Sequence, residues 1–536
     1  MKSEELFEVL GDINENDIKI AATFTTKKKL SKVRLLPYAC AAAALLIVII
    51  SIPMIMTFNI DDTEQTGNTT SVITADPGMV YDIILDSGDP SGNTTDNSVD
   101  TDGSPVTYDD FYPNDYTVPE NIRVIRADIP NPSGTNMTSQ EFLNGEAHWE
   151  WWCDYKEWFS ASQELNHDLN DYYLSMMEQT LVSDEKNTVC SPLNTFIAFS
   201  VLAEISDGNT RQQILDMLGV SDIENLRTIV STLWNSNYIN TPEIKSILAN
   251  SIWLNESLTY NDDTLNTLAD KYYAASFIGD PGNTDMSEAL QNWTNHNTGG
   301  LLEESVKELN LDPTTVMAIV STIYYKAMWS FEFNEEATTQ EMFHGICRDS
   351  VADMMHTDLL CSVYRTENFT SLGLPLTDSG SMYFYLPNDG VDINSLASDP
   401  YIINAIEHHT LEEHYDEHRK NCIVHMSVPK FNISYKTDLL DMLTVLGVTD
   451  SLDPKLSDFT PLTGDADDIY ISRAEHAAMV EIDEHGVTGA AYTDIMLEGG
   501  APEIEDEIDF ILDRPFMFII TGYDGSILFS GIVRNV

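Results

Sequence analysis

The chain has 536 residues, 43% of them hydrophobic, and its 87 Asp and Glu against 27 Lys and Arg leave a net charge of -60 at pH 7. That length is more than one domain usually needs, so appended segments are expected. The charge argues against nucleic acid or anionic lipid as partners of the soluble part, and six scattered cysteines without a CxxC pair argue against a disulfide framework.

Residues 1–34 are polar and end in a basic cluster, Lys27, Lys28, Lys29, Lys32 and Arg34. The apolar, uncharged run 35–58 is long enough to cross a bilayer as one helix. Basic sequence before it and acidic sequence after it predict a cytoplasmic amino terminus and an exported remainder. A cleaved signal peptide has a short basic start and a small-residue cleavage site. Here the lead is long and the run ends in Ile55, Met56, Thr57 and Phe58, so an uncleaved anchor is expected. Cys40 sits too early in the run for a lipid attachment site. Residues 59–140 are rich in Asp, Thr, Ser, Asn, Gly and Pro, and Arg123 and Arg126 are their only basic residues. Such a segment buries too little apolar surface to offset its ordering entropy, which predicts a disordered acidic linker. The connector 141–160 carries four tryptophans. Packing against the following domain is the ordinary explanation for them, binding of a partner the other.

The globular domain is placed at 161–536. Apolar residues at helical spacing from Leu165 through Met176 to Leu181 predict a first helix. Val189 and Cys190 read as a short buried strand. Ser191 and Pro192 then open a helix, a hydroxyl cap followed by a ring pre-set for the first turn, and Gly208 is read as its end. A strand at 247–255 and a helix over Asp262–Tyr273 follow. Residues 315–333 form a long apolar strand ending near Trp329, with further strands at 350–358, 381–389 and 424–435 and a helix at 437–448. His414 and His418 stand four apart and would share a helix face, a zinc-capable spacing; with His408 and His409 beside them in an acidic stretch, a solvated helix is the commoner reading. Motifs for a nucleophile elbow, zinc hydrolysis, phosphate or dinucleotide binding are absent from the sequence. No enzyme, cofactor or metal is expected.

The most informative stretch is 479–502, an alternating strand running into small residues. From Val487 onward the odd positions Val487, Gly489, Ala491, Thr493, Ile495 and Leu497 are uncharged and mostly small or apolar. The even ones include Tyr492, Asp494 and Glu498. Alternate residues of an extended strand face opposite sides. The segment therefore reads as a spare strand with one face fit for burial, although a surface loop is the default for such composition.

This stretch resembles the hinge and reactive loop of the serpins, the suicide inhibitors of proteases. Glu484, Gly486 and the small residues Val487, Thr488, Gly489, Ala490 and Ala491 stand in the places of the family's hinge acid, glycine and small-residue run. The carboxyl-terminal strands with Pro515, Phe516, Phe518, Leu528, Phe529 and Gly531 resemble the family's closing strand pair. Trp293, Thr298 and Gly300 match the helix that crosses its main sheet. The resemblance implies an α+β serpin fold with a large central sheet, two smaller sheets, surrounding helices and an exposed reactive-centre loop. With the anchor it implies a bacterial, membrane-anchored member, its inhibitory domain extracellular and monomeric. Trp329 would pack at the breach where the loop first enters the sheet. Ser191, Asn194, Ser321 and His476 would form the shutter beneath its centre. On one reading Asn194 and Ser321 have exchanged the family's serine and asparagine; the alternatives are an alignment shifted by one residue and a gap filled by solvent.

Counted from Glu484, the resemblance puts the scissile bond at Gly500–Ala501, with Leu497–Glu498 as the other choice. Catalytic residues are none, because the chemistry belongs to the target serine or cysteine protease, with an elastase-like or subtilisin-like enzyme expected. Two other readings remain open: a non-inhibitory serpin used for binding, and a membrane sensor whose outer domain binds a ligand. Residues 1–34 are too few for an independent signalling fold.

Overall fold

The computed structural model describes residues 115–127, 129, 158–240, 244–301, 306–307, 309–331, 333–377, 379–410, 418–464, 469–487 and 506–536. All of them belong to the compact unit Gly92–Val536.

A short strand, β1 (Arg123–Ile125), comes first, and residues 158–168 are helical. Then follow α1 (Asn170–Leu181), β2 (Thr188–Cys190), α2 (Pro192–Ile205), α3 (Gly208–Leu218) and α4 (Ile223–Asn237). The large sheet is entered through β3 (Ile239–Asn240) and β4 (Lys245–Asn255), α5 (Asp262–Tyr272), β5 (Ala274–Gly279), α6 (Thr284–His296) and β6 (Met317–Met328). The second sheet takes β7 (Thr339–His344), β8 (Asp349–Arg365), β9 (Phe369–Leu376), β10 (Gly380–Pro387) and, after α7 (Tyr401–Thr410), β11 (Arg419–Pro429). The chain returns to the first sheet with β12 (Phe431–Asp438), α8 (Leu439–Val445), α9 (Thr460–Thr463), β13 (Arg473–Ile482) and β14 (Gly486–Val487). It closes with β15 (Asp506–Ile511), β16 (Phe516–Thr521) and β17 (Ile527–Val533) in the second.

The large sheet runs β1-β5-β4-β6-β14-β13-β12 with β3 beside β4; the other runs β15-β11-β8-β9-β10-β16-β17-β2 with β7 beside β8. The two smaller sheets expected from the sequence are thus one nine-stranded sheet. They join because β8 is a single 17-residue strand that pairs with β7 and β11 along most of its length and with β9 at its end. All of α2 is buried, as a helix apolar on every side must be. The Ser191 hydroxyl caps it by accepting from the Asn194 backbone N–H at 3.3 Å. Two further boundaries differ from the sequence reading. Gly208 begins α3 rather than ending α2, whose last turn closes at Ser206. Lys430 divides the stretch read at 424–435 into β11 and β12, which belong to different sheets.

The linker assignment for 59–140 fails over 115–127. There Arg123, Val124 and Ile125 pair antiparallel with Ile278, Phe277 and Ser276 of β5. Ile122 is only 7% exposed and adds to the apolar layer beneath α6, with Tyr116, Val118 and Val124 packed against it. Local apolar density outweighs the polar composition of the wider segment. The anchor run 35–58 lies outside the described residues, and among those described no helix is long and apolar enough to cross a membrane.

The turn between β16 and β17 is fastened by Asp524. Its Oδ2 accepts from Ser162 Oγ at 2.6 Å, Asn237 Nδ2 at 2.8 Å, Ser526 Oγ at 2.9 Å and Ser236 Oγ at 3.1 Å. One 4%-exposed carboxylate therefore joins the first helical segment, the end of α4 and the closing hairpin. Asp524→Ala removes the acceptor these four donors share, although each has another acceptor within reach, and is expected to cost about 1–3 kcal/mol, read as a lowered urea midpoint of the full chain.

Candidate functional site

The site is built where β13 ends. Asp483 Oδ1 accepts from the backbone N–H groups of His485 at 2.9 Å and Gly486 at 3.2 Å, turning the chain back on itself. Gly486 and Val487 then enter the large sheet as β14. They pair antiparallel with Met328 and Ala327 of β6 on one side, and Val487 pairs with Ile482 of β13 on the other. A Cβ on Gly486 would lie 2.3 Å from the Ala327 carbonyl oxygen, so only glycine permits this approach. Val487 is 1% exposed and packs into the main core.

Three side chains hold the turn. Trp329 Nε1 donates to the Asp483 carbonyl at 2.9 Å, its backbone N–H donates to His485 at 3.0 Å, and its ring meets Phe333 edge-on. Glu484 is 4% exposed; Lys430 Nζ reaches it at 2.5 Å and Thr338 Oγ1 donates to it at 2.7 Å. Burial pushes the Glu484 carboxyl up, and the Lys430 and Thr338 hydrogen bonds more than offset this, leaving it below its ordinary value. His485 Nε2 lies 3.1 Å from Glu335. Sequence reasoning singled out Trp329 and Glu484 but missed Lys430 and Thr338. Their only signal is partnership with Glu484, which no local pattern carries.

Farther down, the sheet is closed. β13 pairs parallel with β6 from Arg473–Ala318 to Ala477–Thr322, and His476 stands opposite Ser321. The register continues outward on both sides, with Asn250 of β4 opposite Ser321 and Thr437 of β12 opposite His476. Four polar residues therefore cross four strands in one row, beside the amino-terminal end of α2. Ser191 N–H donates to His476 Nε2 at 2.9 Å. Asn194 Nδ2 donates to Ser321 Oγ at 2.8 Å and to the Thr322 carbonyl at 2.5 Å, while its Oδ1 accepts from Asn250 Nδ2 at 2.9 Å. Ser191, Asn194, Ser321 and His476 are thus brought together, and Asn250 is the member that the sequence did not reveal. Thr488, Gly489, Ala490, Ala491, Gly500 and Ala501, with Leu497 and Glu498, lie outside the described residues. So does His414, whereas His418 Nδ1 lies 2.8 Å from the Arg365 carbonyl.

Burial pulls His476 down from 6.5 to about 4, opposed in smaller measure by the Ser321 backbone. Because Nε2 accepts from Ser191, the neutral ring carries its proton on Nδ1. The folded site refuses a second proton that the unfolded chain accepts below pH 6.5. This group's contribution to stability is therefore whole above about pH 6.5 and falls as pH drops to about 4, by about 3 kcal/mol in all. His476→Gln should remove that component, seen as a smaller loss of urea midpoint between pH 7 and pH 5.

Fold and site together define a class, an α+β protein in which the connection leaving a central strand starts back between that strand and its neighbour. The family model for Serpin (serine protease inhibitor) matches residues 167–536. Serpin-ZX of Arabidopsis thaliana is 28% identical over 401 residues, covering 71% of this chain and 98% of its own. Serpin A3-1 of Bos taurus is 29% identical over 378 residues, covering 68% and 87%. Among solved structures, native tengpin, a thermophilic serpin, is similar with a TM-score of 0.59 at 22% identity, covering 70% of this chain and 94% of its own. The chain belongs to the serpin family.

Proposed function

We propose that this chain is an irreversible suicide-substrate inhibitor of extracellular serine proteases, with cysteine proteases that form the same acyl-enzyme as a second target class. The observation that carries the reading is β14, two hinge residues seated between β6 and β13 while those strands pair directly below. Cutting the loop would free the rest of the segment to follow β14 as an added strand. Seventeen residues at about 3.3 Å each span roughly 56 Å, enough to carry an acylated protease from one pole of the domain to the other.

Continuing the register of Val487 sets each odd loop residue on the core face. Gly489 would lie between Tyr325 and Val480, Ala491 between Ile323 and Ala478, and Thr493 between Ser321 and His476. A hydroxyl would thus enter the polar row at the place where insertion parts its two central members. None of the buried-face residues brings a charge, which supports trapping over the non-inhibitory alternative. Gly489 raises the entropy lost on ordering and would leave some turnover.

Gly500–Ala501 as the bait bond suits a protease with a shallow primary pocket, elastase-like or subtilisin-like. Leu497–Glu498 would suit a chymotrypsin-like enzyme. The run 35–58, apolar and flanked by basic and then acidic sequence, supports a single-pass membrane anchor with the basic tail cytoplasmic and the inhibitory domain outside. Incubation with elastase or subtilisin is expected to give a covalent complex that survives SDS. Clean cleavage of the loop without any complex would contradict the proposal.

A further inference from the structure

Residues 115–127 lie upstream of everything the family model matches, yet they are built into the large sheet. We propose that this segment is a strap, supplied by the chain's own amino-terminal region, that fastens α6 onto the large sheet and restrains β6 and β13 from separating. Its consequence for inhibition rests on the strand-insertion reading above; its test needs no protease.

The strap grips both layers. On the sheet side, β1 adds three rungs to the free edge of β5, and Ile122 is buried under α6. On the helix side, Asn292 Nδ2 donates to the Thr117 carbonyl at 3.3 Å. The Tyr116 ring stands 5.5 Å from His296 in the last turn of α6 and 6.3 Å from Phe277 of β5. Arg126 closes the clasp, its guanidinium 5.3 Å above the Tyr116 ring. The exposed pair between Arg123 and Asp262 at 2.6 Å adds little by itself.

What the strap touches decides what it can do. Ile122 shares one apolar cluster with Trp293 of α6 and with Ala318 and Val320 of β6, and Ala477 and Met479 of β13 pack against the same cluster. The helix therefore rests on both strands that an inserted strand would divide. Insertion moves those strands apart by about one further strand spacing, about 4.8 Å. The underside of α6 must then slide or lift from one of them. A clasp between its last turn and the far edge of the sheet opposes that motion. Covering a bare sheet edge is the simpler service such a segment could perform. It would not couple the strap to rungs on the other side of β4.

The test compares the full chain with two variants. Val124→Pro removes an N–H from β1 and locks its backbone. Ile122→Asp places a charge where the strap is anchored. Amide hydrogen exchange is followed at the β6–β13 rungs, residues 318–322 and 473–477, and at Phe277 and Ile278 as a report on release. Both variants are expected to speed exchange at those rungs about tenfold along with exchange at β5. Faster exchange at β5 with unchanged exchange at the rungs would overturn the strap and leave an edge cover. A wild-type chain that forms no protease complex, beside variants that do loosen the rungs, would sink the inhibitor reading and leave the strap standing.

Discussion

On the proposed trapping mechanism, Val487→Arg is expected to turn this chain into a plain substrate. Val487 is 1% exposed between Ala327 and Ile482. Following the cut, this residue must stay in the sheet for the rest of the loop to enter behind it. A guanidinium there would enter the apolar cluster that holds Val487 and be buried unpaired among the described residues of that cluster, at a cost of about 3–5 kcal/mol. On the proposed mechanism the cut loop would divide between insertion and hydrolysis of the acyl bond, so a penalty of about 4 kcal/mol would shift the ratio on the order of a thousandfold. The expected gel shows cleaved chain and free protease in place of an SDS-stable band. Val487→Ala, which keeps the position small and apolar, should still trap. Undiminished trapping by the Arg variant would mean that the hinge does not enter the sheet in the observed register.

Glu484→Lys carries the second large effect, and it acts before any protease arrives. The substitution sets a second ammonium against Lys430 at a 4%-exposed site and removes the acceptor of Thr338. Lys430 is 36% exposed, so solvent screens this pair in part and losing one partner costs about 1–3 kcal/mol, to which a like charge in its place adds. The Asp483–Gly486 turn should come loose with Phe333 and Trp329, and the unfolding temperature should fall on the order of 5–10 °C. Lys430→Glu alone should be damaging too. Combining the two restores opposite charges, and recovery of at least about 1 kcal/mol in the double-mutant cycle is expected. Strict additivity would show that the pair is incidental to the hinge.

The turn that carries Val487 into the large sheet was legible in the sequence because its requirements are local. A turn-forming Asp483, an acid at Glu484, a glycine that must pass against Ala327 and a small Val487 follow one another in the chain. The cap at Ser191 and the helix behind Pro192 were legible for the same reason. The polar row was only half visible. Asn250 lies in ILANSIWLN among other polar residues, and nothing nearby distinguishes it from Asn255. Only the register across four strands places it on Ser321 and Asn194. Lys430 was hidden likewise, looking like a solvated lysine between two strands until Glu484 is folded against it. β1 was missed for a different reason. The composition of 59–140 is that of a disordered segment, and averaging over it conceals Val118, Ile122, Val124, Ile125 and Ile129 within a short window. Gly208 was misread because a glycine ends helices more often than it starts them. Here it follows a helix that has already stopped at Ser206.

The most direct measurement is the melting temperature of the chain before and after a single cut within residues 488–505 by a protease that does not become trapped. If the cut segment joins the large sheet behind Val487, it completes a row of backbone pairs on both sides and buries its uncharged face. A gain on the order of 10 kcal/mol corresponds to a rise on the order of 20 °C. A nicked chain that melts with the intact one would contradict the account.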